Sequence, residues 1–319
     1  MRARPDTASE PYRGVCVVLP CHDEAETIGA VVRDFRAALP GARIVVFDNR
    51  SADGTAEAAR AAGAEVRYEP RKGKGNVVRR MFADLDAEVY VMADGDGTYD
   101  ASGAPRLVAA IRDARADMAV GARAGVRDDA HRAGHALGNA LFNRLFGALF
   151  GDGAGDVFSG YRAFSRRFVK SFPALSNGFE IETELCVHAN QLKLPTVEIE
   201  LPYGARAAGT ASKLHTFRDG WRILRAFGYL LKETRPALFF GAPAVALWTA
   251  AVALAVPLFV TFARTGLVPR LPTALLCTGI AMLGSLCGAV GLILDSLARS
   301  RAEQKRMLYL AIDAARGGR

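Results

Sequence analysis

Only five cysteines occur in 319 residues, Cys16, Cys21, Cys186, Cys277 and Cys287, and no two form a CxxC pair. That scatter argues against a zinc site or a disulfide framework and fits a reducing compartment. No GxxxxGK[ST] run occurs, which excludes a Walker-type ATPase. Charge is missing from two long stretches, Ala237–Phe262 and Leu271–Leu294. A buried core helix of this length normally carries polar interruptions, whereas a bilayer-spanning helix takes about 20 apolar residues, so each stretch reads as a span. The N-terminal segment MRARPDTASEPYRG is polar and holds prolines, unlike a secretory signal.

The charges that are present sort around the spans. Arg218, Arg222, Arg225, Lys232 and Arg235 precede the pair and Arg299, Arg301, Lys305 and Arg306 follow it, while the short connection between them holds Arg264 and Arg270. The excess of positive charge outside the hairpin predicts a multi-pass protein of the cell membrane, with both chain ends and the soluble part in the cytoplasm. A net charge of +8 suits a domain resting on an anionic membrane face; nucleic acid also selects basic chains, but the spans favour the bilayer.

Residues 15 to 121 alternate regularly. Short apolar runs (VCVVLP, ARIVVFD, AEVRYE, EVYVMAD, DMAVGAR) are separated by segments of helical spacing, Ala25–Leu39, DGTAEAARAAG, GNVVRRMFADL and Pro105–Ala114. This predicts an α/β fold with a mostly parallel, Rossmann-like sheet and helices on both faces, whose ligand cleft lies beyond the carboxyl ends of the strands. Polar clusters fall there: PCHDE, DNRSADGT, EPRKGKGN and DGDGT. An isolated DGDG would be a plain turn. With three other polar loops converging on it, the Asp94–Asp96 pair suits a hard divalent cation, Mg2+ or Mn2+, shared with phosphate. Lys72 and Lys74, interleaved with Gly73 and Gly75 before a helix, suit a diphosphate.

In this order the runs VVLPCHDE, VVFDNRSADGT, RKGKGN and MADGDGTYD resemble the GT-A-fold family 2 glycosyltransferases. GDVFSGYRAFSR, GFEIETEL and LPYGARAAGTASKL resemble the polyprenyl-phosphate branch of that family, the branch of dolichol-phosphate mannose synthase. The resemblance covers about residues 14 to 236. It implies that Pro20, His22, Glu24, Asp48, Lys74, Asp94 and Gly95 contact the donor nucleotide and that Asp94 and Asp96 hold the metal. Arg206, Ser212 and Lys213 would bind the diphosphate, and Arg123, Ser159 and Arg162 the acceptor phosphate. Asp96, Arg162 and Glu184 would be the catalytic set. His22 stands where a tyrosine is common, Asp23 where asparagine is usual, and Asn49 where a second aspartate is expected, which leaves the base open. Glu180, Glu182 and Glu184 recur at every second position, which also fits one face of a strand.

The implied reaction is metal-dependent, inverting transfer of a sugar from a nucleoside diphosphate sugar to a polyprenyl monophosphate, undecaprenyl or dolichyl. A UDP-hexose or UDP-N-acetylhexosamine is favoured as donor over GDP-mannose. The partners are these two substrates and the bilayer, without nucleic acid; homo-oligomerisation is compatible. The expected organisation is a polar tail at 1–13, a catalytic domain at 14–212, an interfacial amphipathic helix at 213–236, a transmembrane hairpin at 237–296 with spans 237–262 and 271–294, and a basic tail at 297–319. A further amphipathic run, HALGNALFNRLFGALF, suits either lipid or the domain core. Two rivals differ in kind. A processive polysaccharide synthase would carry QxxRW near the hairpin, where RDGWR lacks the glutamine; a catalytically inert nucleotide sensor would not need Asp94, Asp96, Arg162 and Lys213 intact.

Overall fold

A computed structural model of the chain describes residues 11–113, 115–124, 147, 156–178, 180–204, 225 and 228–312. The chain divides into two compact units, Met1–Phe217 with Lys305–Arg319, and Arg218–Gln304.

In the first unit the continuous apolar run VCVVLPC forms β1, Val15–Cys21, buried at every residue as a central parallel strand must be. It pairs in parallel with β2 (Arg43–Asp48) on one side and β4 (Val89–Met92) on the other, and β3 (Glu65–Tyr68) lies beyond β2. The crossovers carry α1 (Ala25–Ala38), α2 (Thr55–Ala61) and α3 (Lys74–Asp84). After α4 (Ala104–Arg112) comes β5 (Met118–Ala124). Here the sheet departs from a simple alternation. β6 (Arg162–Ser165) inserts antiparallel between β4 and β5, and β7 (Thr196–Pro202) pairs in parallel with β5. The order across the sheet is β3-β2-β1-β4-β6-β5-β7.

Between β6 and β7 lie α5 (Arg166–Ser171) and α6 (Glu180–Gln191). The glutamates at every second position therefore sit on a helix, not on one face of a strand. Successive helical residues turn by about 100°, so residues two apart point nearly opposite ways. One consequence is that Glu182 and Glu184 serve different neighbours.

One face of the sheet presents Val15, Val17, Leu19, Val46, Val91 and Ala163 to α1 and α4. The α1 residues Ile28, Val31, Val32 and Phe35, spaced three and four apart, form its buried stripe. The other face is aromatic: Phe82 meets Tyr90, Phe164 and Phe172 edge-on, with centroids 5.7–6.1 Å apart. His188 of α6 is packed against Phe168 and Phe172 and shares a 3.2 Å hydrogen bond with the Ser171 hydroxyl.

The second unit holds α7 (Pro236–Thr265) and α8 (Leu271–Ala311) up to Gln304, with mean hydropathies of 2.2 and 2.0 over their most apolar windows. Both are long and apolar enough to cross a membrane, and Phe259, Val245, Leu275 and Leu292 stand more than 65% exposed. Most of the buried residues of the two helices are small, Ala244, Ala251, Cys277, Gly284 and Gly291, joined by Pro236 and Tyr309 near their outer ends. The amphipathic run His135–Phe150 and most of residues 213–235 lie outside the described residues.

Burial pushes the His188 imidazole down to about 3 from its ordinary 6.5, because a charged ring would be stranded among aromatics. The folded ring stays neutral while the unfolded one takes up a proton, so this residue's contribution to stability is lost as pH falls from 6.5 towards about 3. The slope from this group alone is roughly 1.4 kcal/mol per pH unit. His188→Gln keeps a partner for Ser171 but cannot titrate. Its thermal midpoint should decline less between pH 6.5 and 4 than that of the parent; parallel declines would refute this source of acid sensitivity.

Candidate active site

Four loops at the carboxyl ends of β1 to β4 are laced to one another by backbone and side-chain bonds. After β1, Asp23 adopts a left-handed φ of 54°, which aspartate tolerates better than most residues. Its amide donates to Ser51 Oγ at 3.0 Å, and its carboxylate accepts from the Ala52 amide at 2.8 Å. The next two amides do the same: Glu24 donates to Thr55 Oγ1 at 2.8 Å and Ala25 to Asp53 Oδ2 at 2.9 Å. Asp48, at the end of β2 and 7% exposed, accepts from the Ser51 amide. Pro20 is buried opposite Phe47 of β2, and the His22 ring lies 3.5 Å from the Asp23 carboxylate with about a third of its surface open.

Asn49 explains its own departure from the expected aspartate. Its amide nitrogen donates to the carbonyls of Glu69 and Arg71, at 2.9 and 2.7 Å, while its oxygen accepts from the Gly73 amide at 2.8 Å. An aspartate could not make the two donations. Through Asn49 the β2 loop fixes the glycine-rich turn that starts α3.

That turn carries Lys74 to the centre of the site. Its ammonium contacts Asp94 and lies 2.7 Å from Glu182 of α6, and the lysine and glutamate side chains are each only 8% exposed. Burial disfavours the charged form of Lys74, but the two carboxylates more than offset this and raise its affinity for the proton. Glu182 is pushed up by burial, with Lys74 opposing. Only a glycine fits beside the pair, since a Cβ at Gly160 would lie 2.5 Å from Asp94 Oδ2 and 3.1 Å from Lys74 Nζ. Asp96 accepts from the Thr98 hydroxyl at 2.6 Å and from the Thr98 amide at 3.2 Å, and the Gly95 carbonyl between the two aspartates accepts from Thr27 Oγ1 at 2.7 Å.

The carboxylates of Asp94 and Asp96 are hard oxygen donors of the kind Mg2+ and Mn2+ prefer. Among the described residues no three His, Cys, Asp or Glu side chains gather as a metal cage. Two carboxylates fit a metal that draws its other ligands from a bound diphosphate and water.

Glu184 faces away from Lys74. Its two oxygens accept from the amides of Leu175 and Ser176, at 2.9 and 2.8 Å. Arg79 of α3 grips the carbonyls of Ala174, Leu175 and Ser176 from the other side. The clamped segment presses on the glycine turn so closely that a Cβ at Gly75 would lie 2.2 Å from the Ser176 oxygen. In these contacts Glu184 shapes the site as a backbone clamp.

Of the residues assigned to the acceptor phosphate, Arg123 is partly open. It forms a bidentate pair with Asp156, at 2.7 and 2.8 Å, and stacks over Tyr203. Ser159 is fully buried and donates to the Gly121 carbonyl at 2.6 Å. Arg162 is fully buried as well. Its guanidinium donates to the carbonyls of Ser159, Val157 and Glu182 and to Cys186 Sγ. Exposure at the cleft, which a direct phosphate contact requires, is lacking here; Arg162 ties the loop before β6 to the first turn of α6. Arg206, Ser212 and Lys213 lie outside the described residues.

Glu182 is the residue that sequence reasoning passed over. Its signal was the same run that drew attention to Glu184, because alternate glutamates on a helix cannot share a face. On the α1 and α4 side of the Asp96 turn there is an open groove of about 750 Å3, bordered by Asp34, Thr98, Tyr99 and Tyr203. Among the described residues its lining holds no lysine or arginine, so these residues suit an anion less well than the Lys74 cleft does.

Comparison with known proteins accords with this geometry. The family model described as glycosyl transferase family 2 matches residues 16–172. Glycosyltransferase AglJ of Haloferax volcanii is 32% identical over 250 residues, 78% of this chain and 81% of that protein. Protein RfbJ of Shigella flexneri is 51% identical over 109 residues, 34% of this chain and 84% of RfbJ. Among solved structures, glucosyl-3-phosphoglycerate synthase from Mycobacterium tuberculosis, in complex with Mn2+, UDP-glucose and phosphoglyceric acid, superposes with a TM-score of 0.56 at 22% identity, covering 69% of this chain and 79% of that one. That likeness is one of fold, the GT-A arrangement of sheet and helices. With a relative this similar over most of its length and the family's pattern across the cleft, the chain belongs to glycosyl transferase family 2 and is a glycosyltransferase.

Proposed function

We propose that the enzyme transfers a sugar from a nucleoside diphosphate sugar, a UDP-hexose or UDP-N-acetylhexosamine before GDP-mannose, to a polyprenyl monophosphate at the cytoplasmic face of the cell membrane. The observation that carries the donor side is Lys74 held against Asp94 at the N-terminus of α3, next to Asp96, where four strand ends converge. Cations and helix amides at one point suit a diphosphate. The Mn2+ and UDP-glucose named for the fold neighbour support a divalent metal and a uridine donor. The lipid side rests on α7 and α8, which keep the chain at a bilayer where a polyprenyl phosphate resides.

Asp94 and Asp96 would hold the metal, which neutralises charge on the leaving diphosphate. Lys74 would share that task, together with Arg206, Ser212 and Lys213. Arg123 would meet the acceptor phosphate from its pairing with Asp156, and Ser159 and Arg162 would support that end of the cleft from beneath, through the loop they anchor. A phosphate monoester, with a second pKa of about 6, is ionised near pH 7, so it needs no strong base to attack. A single in-line displacement inverts the anomeric centre. The neighbour's phosphoglyceric acid favours a second reading, in which the acceptor is a small water-soluble phosphate.

The full-length protein in detergent, given a labelled UDP-sugar and Mn2+ with either a short polyprenyl phosphate or 3-phosphoglycerate, should yield label in the organic phase with the lipid acceptor and little with the soluble one. The opposite partition overturns the lipid reading, and a polymer identifies a processive synthase. Asp96→Asn should lower turnover by roughly a hundredfold or more without loss of fold, in keeping with the several kcal/mol a metal supplies to a developing charge. Activity retained in excess EDTA would remove the metal from the scheme.

Orientation has its own test. With single cysteines introduced as T265C and A315C, an impermeant thiol reagent applied to intact cells should label the first and spare the second. The converse labelling would place the catalytic unit outside.

A further inference from the structure

We infer that Glu182 is a positioning residue of the donor site, acting on the diphosphate through Lys74 rather than by touching it. This rests on the reading of the Lys74 cleft as the donor site. The two side chains are 2.7 Å apart and equally buried, so the ammonium is suspended between two carboxylates, Glu182 on one side and Asp94 on the other. A flexible lysine left with Asp94 alone would be drawn onto the carboxylate that the metal needs. A second carboxylate from a different element shares the pull and fixes where the charge stands.

The surrounding structure is built to hold Glu182 in that place. Arg162 donates to the carbonyl of Glu182 and to Cys186 Sγ one turn later, so the first turn of α6 is pinned to β6. Glu184 ties the opposite face of the same turn to Leu175 and Ser176. Lys74 is fixed in turn by the segment that Glu184 and Arg79 clamp, because the Gly75 amide donates to the Asn177 carbonyl at 3.1 Å. A Cβ at Gly160 would crowd both Asp94 and Lys74, so the glycine leaves the pair the space it occupies. A salt bridge serving stability alone would not require the Arg162 and Glu184–Arg79 contacts to converge on one ammonium at the mouth of a phosphate site, and a buried pair is seldom worth much to stability.

The test is a double-mutant cycle on the full-length protein in detergent, read by calorimetric binding of UDP with Mn2+ and by separate KM values for donor and acceptor. Lys74→Met should weaken UDP binding by about tenfold or more, the loss expected for one charge-assisted contact. Glu182→Ala should weaken it by a similar factor, and raise the donor KM without changing the acceptor KM. The double variant should be no worse than Lys74→Met, because Glu182 acts only through the ammonium. Glu182→Gln, which keeps shape and an accepting oxygen, should fall between the parent and Glu182→Ala and supplies the measurement if Glu182→Ala fails to fold. Should Lys74→Met leave UDP binding intact, the donor reading of the cleft fails. If Lys74→Met weakens binding but the Glu182 variants do not, or if the two losses multiply, only the role given to Glu182 is overturned.

Discussion

An ammonium with 8% of its side chain exposed stays charged only where carboxylates replace the water it has lost. At Lys74 the replacements come from two directions, Asp94 at the end of β4 and Glu182 from α6. Much of the first unit can be understood as the means of bringing these three groups together. β4 must end where α3 begins, and α6 must approach from across the antiparallel β6. The helix N-terminus adds its amide groups, and the result is a site suited to negative charge that nonetheless displays two aspartates. A divalent cation arriving with a diphosphate would satisfy both halves of that description.

The frame around the site is polar where a core would be apolar. Asn49 joins two loops through three bonds of one amide, Asp53 and Thr55 hold the turn after β1, and Arg79 and Glu184 close on the segment 174–177 from opposite sides. Each bond satisfies a backbone group that would otherwise be lost to solvent, and together they leave the loops few alternatives. Rigidity of this sort suits electrostatic catalysis, in which the charges stand in place before the reaction begins. Arg162 belongs to this frame, linking β6 to α6 from full burial.

The alternation from β1 to β5 was legible because each strand is a compact apolar run closed by polar turn residues, and the cleft followed from the rule for strand ends. β6 and β7 were not, since four residues around Arg162 and the half-polar TVEIELP carry little periodic signal. The period of two at Glu180, Glu182 and Glu184 pointed to a strand face, but a helix won, with Ile181 and Leu185 four apart in its buried face. Of the site, the carboxylate pair and the lysine could be read from sequence. The burial of Arg162 and Ser159, and the partnership of Glu182 with Lys74, could not, because they depend on an antiparallel insertion that brings distant segments together. The two long apolar helices were plain from the absence of charge over each run.

On this reading a nucleoside diphosphate and a divalent metal occupy the Asp94–Asp96–Lys74 cleft as one unit. The most direct measurement is calorimetric binding of UDP to the parent protein with Mn2+ and again with Mn2+ replaced by EDTA. Affinity should fall at least about tenfold without metal, since the loss of a charge-assisted contact is of that order. Equal affinity in the two titrations would contradict it, because the aspartate pair would then play no part in holding the diphosphate.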